Sequence, residues 1–479
     1  MNSPERSGKL SFMKVTKSDV IWNYTGTLMS LGSNLLLLPL MIYFLDGDSL
    51  GLWYVFVCVG GIASLFDFGF NPALARNIAY CWSGAPALSK NDVIFSTNDG
   101  PNIYLLKTVI VTCKYIYLIV SLVAIFSLLT AGTFYILHVS RPLAGYAHMA
   151  AWLIYIAAVF LNLYFGYYAT FLRGVGAIKD INVSIVVSRA FQIIFAAVML
   201  FLGLGLIAVS LAYLGAGLIF RITAKNAFQR YENIEIQIRN EQTVIDKKAI
   251  RRTFRLIWHN AWRDGLVSLS RYLSTQASII IASIFLSLTA TGIYSISIQL
   301  ISAISTLAGA LYAVYQPSLQ SSHVRKDIEG SKRMMSIAMA AYVGVFWTGV
   351  LALIIIGIPL LSLIKPDMAF DTPVLMALAV YFFLLSNHSY YSSFISNTNN
   401  VPYVYAFIVS SFAGVAMSLF LVKYMEAGLW GLILGPMMVQ AVYNNWIWPH
   451  KVMKSLDTNM LEMMKSGTKQ IKDKLIRMS

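Results

Sequence analysis

The chain has 479 residues, of which 58% are hydrophobic and only 12% charged, and its net charge is +15 at pH 7. Ordinary soluble domains carry about 25% charged residues, so a typical cytosolic enzyme is excluded and a polytopic membrane protein is the leading class. The basic excess does not indicate nucleic acid, because Lys and Arg are spread between apolar stretches and not gathered on one compact domain.

In chain order, a polar, basic N-terminus (1–19) precedes twelve expected apolar spans. They lie at roughly 20–45, 51–70, 106–136, 149–172, 182–203, 205–224, 258–285, 290–316, 335–364, 372–395, 401–422 and 428–448. The first span is too long for a removable signal and lacks a small-residue cleavage site. The expected organisation is a six-helix bundle (20–225), a charged cytoplasmic linker (226–257), a second six-helix bundle (258–450) and a basic amphipathic tail (451–479). In that tail Met460, Leu461, Met463 and Met464 alternate with Lys465, Lys469 and Lys472, the pattern of a helix lying on the inner leaflet. Outside the spans nearly every Lys and Arg falls on the face shared by both termini; only Arg141, Lys365 and Lys423 fall on the other. Both termini are therefore expected in the cytoplasm. The far-side connections, such as Asp46–Leu50 and Leu202–Gly205, leave no sizeable extracytoplasmic domain for chemistry. Cys58, Cys81 and Cys113 have no metal-ligand spacing and read as buried free thiols.

The chain repeats itself. Phe44-Leu45, five residues, then Gly51-Leu52-Trp53 returns as Phe285-Leu286, five residues, then Gly292-Ile293-Tyr294, 241 positions on. Tyr167-Tyr168-Ala169-Thr170-Phe171-Leu172 returns as Tyr390-Tyr391-Ser392-Ser393-Phe394-Ile395, and Gly205-Leu206 as Gly428-Leu429, both at 223. Six spans per half make the repeats parallel, a design that places a substrate site near the midplane between halves.

The seventh span carries Asp264, Ser268, Arg271, Thr275 and Ser278 at steps of four, three, four and three, which puts them on one helical face. The first span carries the same row, since Asn23, Thr27, Ser30 and Asn34 precede Asp264, Ser268, Arg271 and Thr275 by 241. Two such rows read as walls of an aqueous cavity and the protein as a transporter. Of the bases within spans (Lys114, Arg189, Arg263, Arg271), Arg271 lies deepest, where an arginine costs about 2.5–3.5 kcal/mol on insertion scales unless it faces protein or water. Guanidinium in excess over carboxylate favours an anion, above all phosphate, and the hydroxyls and amides of both rows suit sugar hydroxyls. Asp67 and Arg76 are expected to pair and close the end of the second span. His388 reads as a hydrogen-bonded interior histidine, with a coupling-proton role as the alternative.

Gly51-Leu52-Trp53, followed by Leu65-Phe66-Asp67-Phe68-Gly69-Phe70 and Ala73-Leu74-Ala75-Arg76, resembles the second-span signature of bacterial O-antigen and polysaccharide flippases. That family belongs to the multidrug/oligosaccharidyl-lipid/polysaccharide (MOP) exporter superfamily, with the MATE exporters and the lipid II flippase as relatives. Phe171-Leu172-Arg173-Gly174 through Gly203-Leu204-Gly205-Leu206 resembles the same family. The resemblance implies an all-α integral membrane fold of twelve transmembrane helices in two parallel, MATE-like six-helix bundles, the first and seventh helices facing a cationic cavity. It implies alternating access that moves an undecaprenyl-pyrophosphate-linked oligosaccharide to the periplasmic leaflet of the bacterial inner membrane. Arg271 would be the seventh-helix base of that cavity, helped by Arg263 and Lys114. No organic cofactor is expected. A coupling ion, H+ or Na+, membrane lipids and other polysaccharide-assembly proteins are. Where the lipid II relatives carry first-helix arginines, Asn23 and Ser30 stand here. A MATE-type exporter of cationic compounds is the alternative, and it would want acids in the first half.

Overall fold

The computed structural model describes residues 17–67, 69–88, 100–141, 143, 145–324, 327–366, 369–396 and 402–476, and all their regular structure is helical. The first half contains α1 (Lys17–Phe44), α2 (Gly47–Leu65), α3 (Phe70–Trp82), α4 (Ile103–Ser127), α5 (Thr133–Val139), α6 (Ala147–Phe165), α7 (Tyr167–Gly174), α8 (Ile178–Phe201), α9 (Gly205–Arg230) and the short α10 (Ile234–Asn240). The second contains α11 (Lys247–Phe285), α12 (Leu288–Ala308), α13 (Ala310–Val324), α14 (Ile328–Ala352), α15 (Ile358–Ile364), α16 (Thr372–Ser396), α17 (Val404–Lys423), α18 (Gly428–Val442), α19 (Asn444–Ser455) and α20 (Met460–Ile476). Among the described residues nine helical runs are long and apolar enough to cross a membrane, as a multi-pass membrane protein requires. The expected second and twelfth spans are each broken, at Phe66–Gly69 and at Tyr443, and the count of twelve stays an expectation from sequence.

Backbone detail repeats along with the sequence. Asp46 caps α2, its carboxylate accepting from the Ser49 N–H at 2.7 Å, and 241 positions later Ser287 caps α12, accepting from the Ala290 N–H at 3.1 Å. Asn102 caps α4 and Asp327 caps α14 in the same manner, at 3.0 and 2.8 Å, 225 positions apart. A π-helical turn follows each of these helices, Leu128–Gly132 and Leu353–Gly357, again 225 apart. The turns into α9 and α18 match as well. Gly203 and Gly205 have φ of 79° and 51°, and Glu426 and Gly428, 223 positions on, have 51° and 53°.

Asp46→Ala and Ser287→Ala are each expected to lower stability by about 1 kcal/mol, the usual cost of losing a helix cap, read as a lower melting temperature. The Asp46 contribution depends on pH. Burial raises its carboxyl, but the Ser49 hydrogen bonds outweigh this and hold it below the usual carboxylate range. The stabilisation is therefore complete above the unfolded value of about 3.9 and is lost as pH falls through the lower folded value.

The described residues form two compact units. One holds the chain up to Ser49 and Phe56–Leu269; the other holds Leu50–Val55 and the chain from Ser270 onward. In the first unit α1 packs on α8, so closely at the buried Gly26 that a Cβ there would strike the Asn182 amide. The rings of Tyr117, Tyr167, Phe171 and Phe228 form part of its core. In the second unit α17 packs on α18, with Gly414 against Pro436, and α12 packs on α14 and α16.

The helix of the C-terminal tail packs on α14: Met463 is fully buried, and a Cβ on Gly467 would strike the Ser336 carbonyl, while Met460 and Leu461 stay exposed. Lys332 donates to the Asp457 carbonyl at 2.9 Å, and Arg333 to Gln470 at 2.9 Å. Burying a methionine side chain contributes about 2 kcal/mol, enough for a protein surface to compete for the helix.

Candidate functional site

Helix α11 positions the site, and it does so through hydroxyl groups on its packed side. The Ser411 hydroxyl of α17 donates to the Ser270 carbonyl at 3.0 Å and lies 2.9 Å from the Ser274 hydroxyl. Tyr381 of α16 donates to the Ser274 carbonyl at 2.7 Å. Small hydroxyl residues let apolar helices approach closely and bond across lipid-embedded interfaces, where hydrophobic burial supplies little drive. A void of about 10 Å3 bounded by Ser278, Ser410, Ser418 and Gln440 lies beside this clamp, the size of a single water. Ser270, Ala277 and Ile281 are buried on the same side. The clamp fixes the rotation of α11 and so the direction of its other face.

On that other face Ser268 and Arg271 are exposed. Thr275 is half-buried, its hydroxyl donating to the Arg271 carbonyl at 2.9 Å. Among the described residues the Arg271 guanidinium makes no ion pair, and its electrostatic neighbour is the Tyr390 phenol of α16. The row closes at Ser278, which lies beside the Tyr294 phenol. The side chains of Arg263, Asp264 and Asn23 lie outside the described residues. On α1, Thr27 and Asn34 are exposed and Ser30 is half-buried, with Gly26 turned the other way into α8. Lys114 is exposed on α4, in the first unit. Ser268, Arg271 and Thr275 thus share one face of α11, and Thr27 and Asn34 share one face of α1; Lys114 belongs to neither.

Other bases have local partners. Arg189 donates to Gln192 at 2.7 Å on its own helix. Arg221, outside the expected site set, lays its guanidinium 3.5 Å from the centre of the Phe165 ring, a contact available because α9 continues to Arg230. His388 is buried, with Nδ1 2.8 Å from the Asn445 amide oxygen, the interior histidine of the sequence reading. Asp67 and Arg76 do not form the expected pair. The chain turns at Gly69 (φ 70°) to begin α3, Arg76 is exposed, and one Asp67 oxygen instead accepts from the Asn71 N–H at 3.3 Å.

One feature escaped the sequence reading. A cavity of about 430 Å3 opens in the second unit, with Asn387, Asn445, Trp446, His450, Met453 and Met460 among its walls. Its volume falls in the range of small-ligand sites. The Asn387 side chain is 7% exposed and its amide oxygen has no protein partner. Its lining is mostly apolar: the Asn445 amide oxygen is engaged by His388, and the Trp446 indole N–H donates to the Val442 carbonyl. The available signal was amides at Asn387 and Asn445 within otherwise apolar runs.

No protein-family model and no curated protein matches the chain. Solved structures do. An inward-facing multidrug-resistance MATE transporter of the MOP superfamily superposes with a TM-score of 0.68 at 15% identity, covering 92% of this chain and 98% of that one. The lipid II flippase MurJ, in an inward closed conformation, gives 0.61 at 14% identity over 95% and 90% of the two chains. A MOP-superfamily transporter from Pyrococcus furiosus, described by the reverse polarity of its binding pocket, gives 0.51 at 15% identity over 96% and 100%. The chain therefore has the all-helical fold of MATE-like MOP transporters.

Proposed function

We propose that the protein is a flippase that moves an undecaprenyl-pyrophosphate-linked oligosaccharide, an O-antigen or similar repeat unit, from the cytoplasmic to the periplasmic leaflet by alternating access. The observation that carries this reading is Arg271: an exposed guanidinium on an apolar helix, without an ion-pair partner among the described residues and flanked by hydroxyls. A guanidinium fork matches diphosphate oxygens in bidentate fashion. Arg263 and Lys114 assist in this reading, and Asn23, Thr27, Ser30, Asn34, Ser268, Thr275 and Asp264 line the path of the glycan. The protein would sit in the bacterial inner membrane with both termini in the cytoplasm, driven by an ion gradient, H+ or Na+, and work beside other polysaccharide-assembly proteins.

The fold suits a second reading equally well, export of small cationic compounds, since the multidrug transporter and the lipid II flippase both share it. Deleting the gene and radiolabelling the glycan separates the two. The flippase reading expects lipid-linked units to accumulate facing the cytoplasm. Normal exposure of the glycan on the outer leaflet, with drug sensitivity in its place, would establish the exporter.

A further inference from the structure

Between α12 and α13 the helix is interrupted at a single residue, Gly309, and the space a Cβ would need there is taken by the Tyr390 hydroxyl of α16. The Tyr390 ring is held on two sides, by Tyr312 of α13 at 4.8 Å between ring centres and by Tyr342 of α14 at 5.0 Å. Both neighbours are themselves fixed. Tyr312 is 4% exposed, and Tyr342 is fully buried with its phenol donating to the Phe383 carbonyl at 3.0 Å. Two fixed rings and a glycine hold Tyr390 in place, so its hydroxyl is oriented before any ligand arrives.

Tyr390 is half-buried, and its hydroxyl donates to no group among the described residues. An O–H in such a place needs an acceptor, from water or from a ligand. The Arg271 guanidinium lies within Coulombic reach of the phenol and makes no ion pair of its own among the described residues. Together they offer N–H and O–H donors with one positive charge, which suits an anion with several oxygens, a phosphate above all. A cationic ligand would be repelled by the guanidinium. The matching tyrosine of the first half is placed differently. Tyr167, 223 positions earlier, is 4% exposed and packs in the core on Tyr117 and Phe171, and the position matching Arg271 is Ser30. Only the second half leaves the ring half-buried and within reach of the α11 base.

We propose that Tyr390 is a second phosphate-binding group: its hydroxyl donates to the same phosphorylated headgroup that Arg271 holds. That this headgroup is a prenyl diphosphate rests on the flippase reading; a bilayer phospholipid offers the same chemistry.

The test is a thermal melt of the full-length protein in detergent, titrated with farnesyl diphosphate, with phosphatidylglycerol, and with farnesol as the uncharged control. The wild type is expected to show a saturable rise in melting temperature with farnesyl diphosphate that farnesol does not produce. Tyr390→Phe keeps the ring and should melt like the wild type without ligand, because no bond within the protein is lost. It should bind farnesyl diphosphate about tenfold more weakly or worse, the scale of one hydrogen bond to a charged group. Gly309→Ala, whose Cβ would displace the hydroxyl, should weaken binding similarly. The two changes together should cost little more than either alone, since both act on one contact. Tyr167→Phe should leave the affinity unchanged.

Equal affinity in the wild type and Tyr390→Phe, or a wild type that responds to no phosphate compound, overturns the proposal; the former leaves Arg271 and the flippase reading standing. A ligand-free melting temperature lowered in Tyr390→Phe overturns it too, because the hydroxyl would then be bonded within the protein. A response to phosphatidylglycerol equal to that for farnesyl diphosphate, with the same loss in Tyr390→Phe, would keep the phosphate site and assign it to a bilayer lipid. Phosphate binding that depends on Tyr390, in a protein whose loss leaves glycolipid orientation unchanged, would remove the flippase reading alone.

Discussion

Arg271→Ala should abolish outward movement of the lipid-linked glycan while leaving the amount of protein in the membrane unchanged. Charge-assisted hydrogen bonds contribute about 1.5–3 kcal/mol each, so losing a bidentate pair to a diphosphate costs about 3 kcal/mol or more, roughly a hundredfold in rate. Abundance should hold because the side chain is exposed and makes no ion pair among the described residues. Arg271→Lys keeps the charge but not the planar fork and should retain about a tenth of the activity. Glycan displayed on the outer surface, normalised to membrane abundance, is the measurement. Wild-type display in the alanine variant would remove Arg271 from the substrate path.

Gly51→Val should have the largest effect on the fold itself. Gly51 lies in Leu50–Val55, the piece of α2 that belongs to the second unit, where Leu50, Leu52 and Val55 are fully buried and Tyr54 donates to Gln299 at 2.8 Å. A Cβ at Gly51 would strike the Leu288 carbonyl in the first turn of α12. That oxygen is backbone and cannot rotate away as a side chain would, so relief requires moving a helix. Overpacking of this kind costs about 1–3 kcal/mol and sometimes more, and valine should exceed alanine. Detergent-solubilised Gly51→Val is expected to melt well below wild type and to be less abundant. A wild-type melting curve would mean that α2 and α12 can separate at little cost.

Much of this architecture was legible in the sequence, and what was missed has physical causes. Helices follow from long apolar runs, but the break at Gly309 sits inside such a run, where hydropathy does not change. The repeat was visible at offsets of 241 and 223, and Asp46 and Ser287 show why it is structural: an acid and a hydroxyl perform the same capping at one position. The polar row on α11 followed from periodicity, yet Ser270 and Ser274 form an equally regular row one residue away. Only their bonds to Ser411 and Tyr381 decide which row packs and which stays free. Charge proximity misled at Asp67 and Arg76, because the turn at Gly69 starts α3 in a direction that leaves Arg76 exposed and away from the carboxylate. In the tail, amphipathic spacing predicted a helix with an apolar face, whereas the surface that covers it depends on α14, more than a hundred residues away.

The paired π-turns at Leu128–Gly132 and Leu353–Gly357 bear on the ancestry of the chain. A π-turn is a rare departure from α-geometry, often found at functional sites. Its presence at both places means that the halves share a local distortion as well as a sequence pattern, as two copies of one ancestral half would.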